Sequence, residues 1–255
     1  MQAYERVQSA RRSSRPSGKF YIERIFDSFI ELHGDRRYAD DGAIIAGVAY
    51  LDNVAVTVIA IERGNSIEER MIRGFGCPKP EGYRKALRLM KQAEKFSRPV
   101  ICFVGTPGAF CGIDAEERGQ GQAIAENLME MMTLRTPIVT VVIGEGGSGG
   151  ALALSVADKI IMPENSVYSV ISPEGCASIL WKDSSKAADA AEVLKLTAKD
   201  LMDFGIIDTL IEEDGLSNEE LCAKVKEEIK CTLKENMKLP IDELLENRYN
   251  KYRNI

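Results

Sequence analysis

Gly144-Glu-Gly-Gly-Ser-Gly-Gly150 lies between the β-branched run Pro137-Ile-Val-Thr-Val-Val-Ile143 and the small-residue stretch Ala151-Leu-Ala-Leu-Ser-Val-Ala157. The three segments read as a strand, a turn and a short buried helix, which is the join of a layered α/β fold. Five glycines in seven residues leave the backbone free and let another molecule come close to its N–H groups. A helix start adds unpaired donors and a partial positive charge. Such a place holds a developing negative charge with main chain rather than with side chains.

Working outward, the pattern recurs. The strand Pro99–Val104 runs into Gly105-Thr-Pro-Gly-Ala-Phe-Cys-Gly112 and then into a helix over about 114–133. Pro99 and Pro137 are 137 − 99 = 38 residues apart, the spacing of a repeated ββα or βα unit. A helix over 81–96 precedes the first unit, and Asp158-Lys-Ile-Ile-Met162 is the next strand. Ala43–Leu51 and Val54–Ile61, joined by Asp52-Asn53, form a hairpin, and 62–80 is a surface loop with a short helix. The spacing predicts a helix over 19–32, with Ile22, Ile25, Phe26, Phe29 and Ile30 on one face. Residues 5–18 are basic and polar without apolar periodicity, the signature of an arm that is disordered or orders on docking. The tail over 216–252 is charged and helical, with Leu216, Leu221, Val225 and Ile229 at helical spacing.

At 255 residues and 45% apolar content the chain can bury one large core. A net charge of −6 argues against a general nucleic-acid binder. No apolar run reaches the length of a membrane span, and Met1-Gln-Ala-Tyr-Glu lacks an apolar signal region, so the expected location is the cytoplasm. Six cysteines without a Cys-x-x-Cys pair, and a single histidine, point to reduced thiols and no zinc site.

Several side-chain chemistries compete for the glycine segment. Gly144-x-Gly146-x-x-Gly149 matches a dinucleotide fingerprint, but the helix behind it is too short and lacks the later acidic residue. No Gly-Lys-Ser/Thr follows, which excludes a phosphate loop of that kind. Gly146-Gly-Ser148-Gly-Gly150 matches a nucleophile elbow, for which His33 is the one available base. His33 stands in Leu32-His-Gly-Asp-Arg36, where a surface or capping role is the alternative. Cys111 lacks a supporting histidine, and Arg118 reads as a charge that pairs with a Glu, meets a partner or lies on a solvated face. Ser172-Pro173-Glu174 caps a helix that ends at Trp181, either a buried indole or the rim of a pocket or interface.

Glu81-Gly-Tyr-Arg-Lys-Ala-Leu-Arg-Leu-Met90, Thr106-Pro-Gly-Ala109, Ala115-Glu-Glu-Arg-Gly-Gln120, Ile143–Ala153 and Tyr168-Ser-Val-Ile-Ser-Pro-Glu-Gly-Cys-Ala-Ser-Ile-Leu-Trp-Lys182 resemble the α-subunit family of bacterial acetyl-CoA carboxylase carboxyltransferases, from about Phe20 to about Glu212. The chain departs from that pattern at Phe110-Cys111, where Tyr-Pro is usual, and in the less basic segment 62–68. The resemblance implies an α/β crotonase-like spiral of ββα units with flanking helices. It divides the chain into a basic arm (1–18), a carboxyltransferase domain (19–212) and a C-terminal helical extension (213–255).

It further implies transfer of a carboxyl group from carboxybiotin, on a biotin carboxyl carrier protein, to acetyl-CoA, giving malonyl-CoA in the first committed step of fatty acid synthesis. The implied partner is a zinc-carrying β subunit in an α2β2 heterotetramer, with a biotin carboxylase that alone uses ATP. No cofactor would be held covalently by this chain, and no membrane or nucleic-acid partner is expected. By the family pattern Gly149 and Gly150 supply the N–H pair that holds the biotin ureido oxygen, with Gly146, Gly147, Gly108 and Ala109 shaping the approach. The alternatives are a subunit for another acyl-CoA and a crotonase-fold serine hydrolase using Ser148.

Overall fold

The hairpin of β2 (Ile44–Leu51) and β3 (Val54–Ile61) is the antiparallel start of an eight-stranded sheet, seen in a computed structural model that describes residues 1–254. β1 (Asp27–Glu31) adds to its outer edge. Beyond β3 the sheet is parallel, running through β4 (Val100–Thr106), β5 (Ile138–Gly147), β6 (Lys159–Pro163) and β8 (Thr209–Ile211). β7 (Val167–Ser169) pairs with the far end of β5. The parallel strands are joined through α3 (Ile67–Ile72) and α4 (Pro80–Lys95), then α5 (Ile113–Glu117) and α6 (Gln120–Thr133), then α7 (Ser148–Leu152).

Both sheet faces are covered, which is why the strands read as unbroken apolar runs rather than alternating ones. On one face Val100, Cys102 and Val104 pack with Ala86, Leu89 and Met90 of α4 and Met131 of α6. On the other, Ile101, Phe103, Val139 and Val141 pack with Tyr21, Ile22 and Ile25 of α2 (Gly18–Ile25) and with Leu221, Val225 and Ile229 of α11 (Asn218–Asn236). After β7, α8 (Pro173–Trp181), α9 (Ala187–Leu194) and α10 (Ala198–Asp203) lead to β8.

Four expectations change. Most of the arm is a helix, α1 (Ala3–Arg11), whose buried apolar residues are Ala3, Val7 and Ala10, with Tyr4 beside them; it packs on Val167, Ala191 and Leu196. Three of the arm's four arginines pair within the molecule: Arg6 bonds Glu164, Arg11 bonds Glu145 and Glu174, and Arg15, just beyond the helix, bonds Glu213. The helix expected over 19–32 stops at Ile25, because Asp27 and Ser28 are poor helix formers and Phe29 and Ile30 fit a pleated edge. Gly47 permits that edge, since a Cβ there would overlap the Ile30 carbonyl.

The helix over 114–133 is broken at Gly119, which takes φ +81, into α5 and α6. The tail is two helices, α11 and α12 (Ile241–Arg253), separated before Pro240, where a helix interior would lose its N–H bond. Arg248 fastens α12 by bonding Asp158 and the carbonyls of Met131, Leu134 and Thr136.

Candidate active site

The glycine segment is half strand. β5 continues through Gly147, with Gly146 level with Thr106 of β4 on one side and Tyr168 of β7 on the other. The glycines are needed because the strand is pressed from both sides. A Cβ on Gly146 would lie 3.0 Å from both Val142 Cγ1 and Tyr168 Cδ2, and one on Gly147 would overlap the Pro107 carbonyl. The expected turn after Ile143 is therefore delayed to Ser148, which takes φ +54. α7 then lasts five residues, a single turn with little macrodipole, so any anion must be held by individual N–H groups.

Two loops leave the sheet edge together and touch. Thr106 Oγ accepts from the Gly108 N–H at 3.0 Å and donates to the Gly108 carbonyl at 2.8 Å, closing the Thr-Pro-Gly turn with Gly108 at φ +154. Gly150 lies against that turn: a Cβ there would be 2.6 Å from Gly108 C and nearer still to Ala109 N. Gly149 is less constrained, since its Cβ would meet Ile124 Cγ2 at 3.7 Å. Among the described residues, none accepts a hydrogen bond from the N–H groups of Ala109, Gly149 or Gly150. Unpaired main-chain donors at one spot are a site feature, because nearly all such groups in a folded chain are satisfied.

On the Gly149 side is a largely apolar cavity of about 340 Å³, lined by Ser148, Gly149, Leu152, Tyr168, Val170 and Phe204, with Lys195 at its wall. The carboxylate of Glu145, in the same glycine segment, is held by Arg11 at 2.7 Å. No side chain bonds Ser148 Oγ among the described residues. The arrangement can stabilise an oxyanion next to an apolar ring, and offers no general base beside it.

The whole chain, residues 1–255, matches the family described as acetyl co-enzyme A carboxylase carboxyltransferase-like. An acetyl-coenzyme A carboxylase carboxyl transferase subunit alpha of Clostridium perfringens is 62% identical over 99% of this chain and 95% of its own length. The corresponding subunit of Streptococcus uberis is 54% identical over 97% of each. The chain belongs to the acetyl-CoA carboxylase carboxyltransferase α-subunit family.

Among solved structures, transcarboxylase 12S superposes with a TM-score of 0.73 at 19% identity over 91% of this chain and 43% of its own. A Pseudomonas malonate decarboxylase hetero-tetramer in complex with coenzyme A gives 0.66 at 18% identity over 83% of this chain and 86% of its own. The fold is thus the crotonase-like α/β spiral of these carboxyltransferases. The chain is one component of a multi-subunit carboxyltransferase, spanning under half of the transcarboxylase chain.

Within this α-subunit fold the six glycine and alanine positions singled out in the sequence come together at the meeting of the two loops. The side-chain alternatives do not join them. His33 is exposed and pairs with Asp40 at 2.9 Å, and Asp40 in turn holds the buried Lys85 at 2.6 Å, so the histidine is spent on a surface network. Arg118 is not a solvated charge; it forms a two-bond pair with the buried Glu81 and sits over the Tyr38 ring. Ser172 caps α8 as expected, by accepting from the Gly175 N–H, but Trp181 is 37% exposed at the helix end. Tyr83 and Gln120, which lie in the segments that resemble the family, both reach the loops.

Proposed function

We propose that the free N–H groups of Gly150, Gly149 and Ala109 bind the ureido oxygen of biotin while its carboxyl group is transferred to acetyl-CoA. The observation that carries this reading is the set of unpaired main-chain donors on two touching loops, with an apolar cavity on the Gly149 side. The cavity suits the bicyclic thioether of biotin, and the donors suit an oxygen that gains negative charge. When bound, carboxybiotin supplies the carboxyl group and a ureido anion basic enough to take the acetyl-CoA α-proton.

The chain's part is positional and electrostatic. Gly150 and Ala109 fix two donors across the loop contact, and each donor aimed at a developing oxyanion is worth about 3–4 kcal/mol. Tyr168, Leu201 and Phe204 supply apolar surface beside Gly149 on which the biotin ring can lie. Gly146 and Gly147 keep the strand thin enough for the loops to meet. No nucleophile on this chain is required, in agreement with an unengaged Ser148.

The reading places the site in residues 19–212 and makes acetyl-CoA and carboxybiotin the substrates. A biotin carboxyl carrier protein would deliver the carboxybiotin, and a separate biotin carboxylase would use the ATP. A zinc-carrying β subunit would complete an α2β2 assembly in the cytoplasm. No helix among the described residues is long and apolar enough to cross a membrane. The test is to mix the chain with its β partner, a carboxybiotin donor and acetyl-CoA and to measure malonyl-CoA. Activity is expected with both subunits present; full activity from this chain alone would refute the reading.

A further inference from the structure

We infer that Tyr83 and Gln120 are positioning residues that hold the two halves of this donor set in register, Tyr83 the Gly150 side and Gln120 the Ala109 side. The inference rests on the reading of those amides as the anion site.

Tyr83, on α4, is fully buried, and its Oη donates to the Gly150 carbonyl at 3.1 Å. That carbonyl needs an outside partner because α7 ends so early. Leu154 N–H turns to the Ala151 carbonyl and Ser155 N–H to that of Leu152, so the helical bond that would have reached Gly150 is not made. Burial pushes the Tyr83 phenol well above its ordinary pKa, so it stays a donor. Tyr83 forms a buried cluster with Ala123 and Ala153, and Ala109 packs against that cluster, so the cluster borders both sides of the donor set.

Gln120, at the start of α6, is buried, and its Nε2 donates to the Pro78 carbonyl at 2.8 Å and to the Phe110 carbonyl at 3.0 Å. Phe110 N–H bonds Pro78 O at 3.0 Å. Both polar groups of the residue after Ala109 are therefore fixed. The Gln120 Oε1 has no partner, which shows that the side chain is turned to serve the two carbonyls rather than its own acceptor. The Glu81–Arg118 pair ties the start of α4 to the approach of α6, so the two clamps share one frame. A displacement of about 1 Å between donors is enough to lower a rate roughly a hundredfold, so small clamps at this contact have leverage.

The test uses the assembled enzyme with Tyr83→Phe, Gln120→Met and, as control, Tyr252→Phe. Tyr252 is a half-buried tyrosine whose hydroxyl is bonded to the Ser155 and Ala157 carbonyls further along the same segment. Malonyl-CoA kinetics are read alongside hydrogen exchange of peptides covering 104–112 and 146–154 in the free chain. Tyr83→Phe and Gln120→Met are each expected to lower kcat about tenfold at unchanged KM for acetyl-CoA and to speed exchange in their own peptide. Tyr252→Phe should lower thermal stability while leaving kcat as it was. Wild-type kcat and exchange in both folded variants would overturn the inference, as would a loss in KM alone. Gly150→Ala, which forces the two loops apart without removing a donor, separates the two levels: if it is folded and fully active the loop contact does not matter and the inference fails with it, whereas an inactive Gly150→Ala beside fully active clamp variants defeats only the clamps and leaves the anion-site reading standing.

Discussion

Gly150→Ala set against Gly149→Ala tests the site with a single methyl group in each case. Both substitutions keep the N–H, so neither removes a donor. At position 150 the new Cβ would stand 2.6 Å from Gly108 C and 3.0 Å from Gly108 Cα, and the neighbours are backbone atoms that cannot rotate away. Ordinary carbon contacts are about 3.5–4.0 Å, so the loops must part by about 1 Å. That separation would carry Ala109 N–H out of line with Gly150 N–H. Losing one aligned donor corresponds to about 3–4 kcal/mol of transition-state stabilisation, or a fall in kcat of about 10²–10³. The strain also costs about 1–3 kcal/mol of folding stability, which a well-packed domain of this size tolerates. At position 149 the methyl meets Ile124 Cγ2 at 3.7 Å and Cδ1 at 3.9 Å, ordinary contact. Replacing Gly by Ala inside a helix adds up to about 1 kcal/mol of stability, so Gly149→Ala should be at least as stable as the parent and keep kcat within about threefold. The assay is steady-state malonyl-CoA formation by the reconstituted complex, with circular dichroism and thermal melting as fold controls. Equal losses in the two variants, or a fully active and folded Gly150→Ala, would refute the loop-contact argument.

Ser148→Ala should keep kcat within about threefold, since no base engages the hydroxyl; a loss of several orders of magnitude in the same assay would restore a nucleophile. Arg248→Met should lower stability by about 3–5 kcal/mol in urea unfolding, because it strands the Asp158 carboxylate and three carbonyls beneath α12. Asp40→Asn should destabilise at pH 7, with a gap from the parent that closes in acid. Burial alone would raise the Asp40 carboxyl, but hydrogen bonds from Lys85, the Gly34 N–H and His33 outweigh it and hold its pKa at about 2. A depressed folded-state value contributes stability above the unfolded value near 4, and that contribution is lost as pH falls from about 5 toward 2. Urea midpoints of parent and variant should therefore converge across that window, and a gap that stays constant would contradict the pairing.

The hairpin, β4, β5 and their loops were legible because they are long apolar runs with sharp glycine and proline punctuation, local signals that packing then exploits. α1 was not, because its buried face is two alanines and a valine, and the arginines that look like a solvated arm find their carboxylates more than 130 residues away. β1 was misread because Phe29 and Ile30 extend a helical spacing that Asp27 and Ser28 interrupt. For Arg118 the sequence leaves a Glu pair, a partner contact and a solvated face open, because the carboxylate it finds, Glu81, lies on another helix.

The site itself shows a different division. A centre built from side chains declares itself through reactive residues at recognisable spacing, whereas this one uses peptide N–H groups that every residue except proline possesses. What the sequence can display is therefore the demand for thinness: Gly146, Gly147 and Gly150 are where a Cβ would strike a neighbouring strand or loop, and Gly149 shares the run without sharing that demand. Spacing alone made the two helix-start glycines look equivalent. Only the approach of the Thr106–Ala109 turn distinguishes them, and that approach is a tertiary fact set by the parallel pairing of β4 with β5. The signature around Tyr83 and Gln120 acquires a physical content from the same contact, since it supplies the hydrogen bonds that a one-turn helix and a tight loop cannot make for themselves.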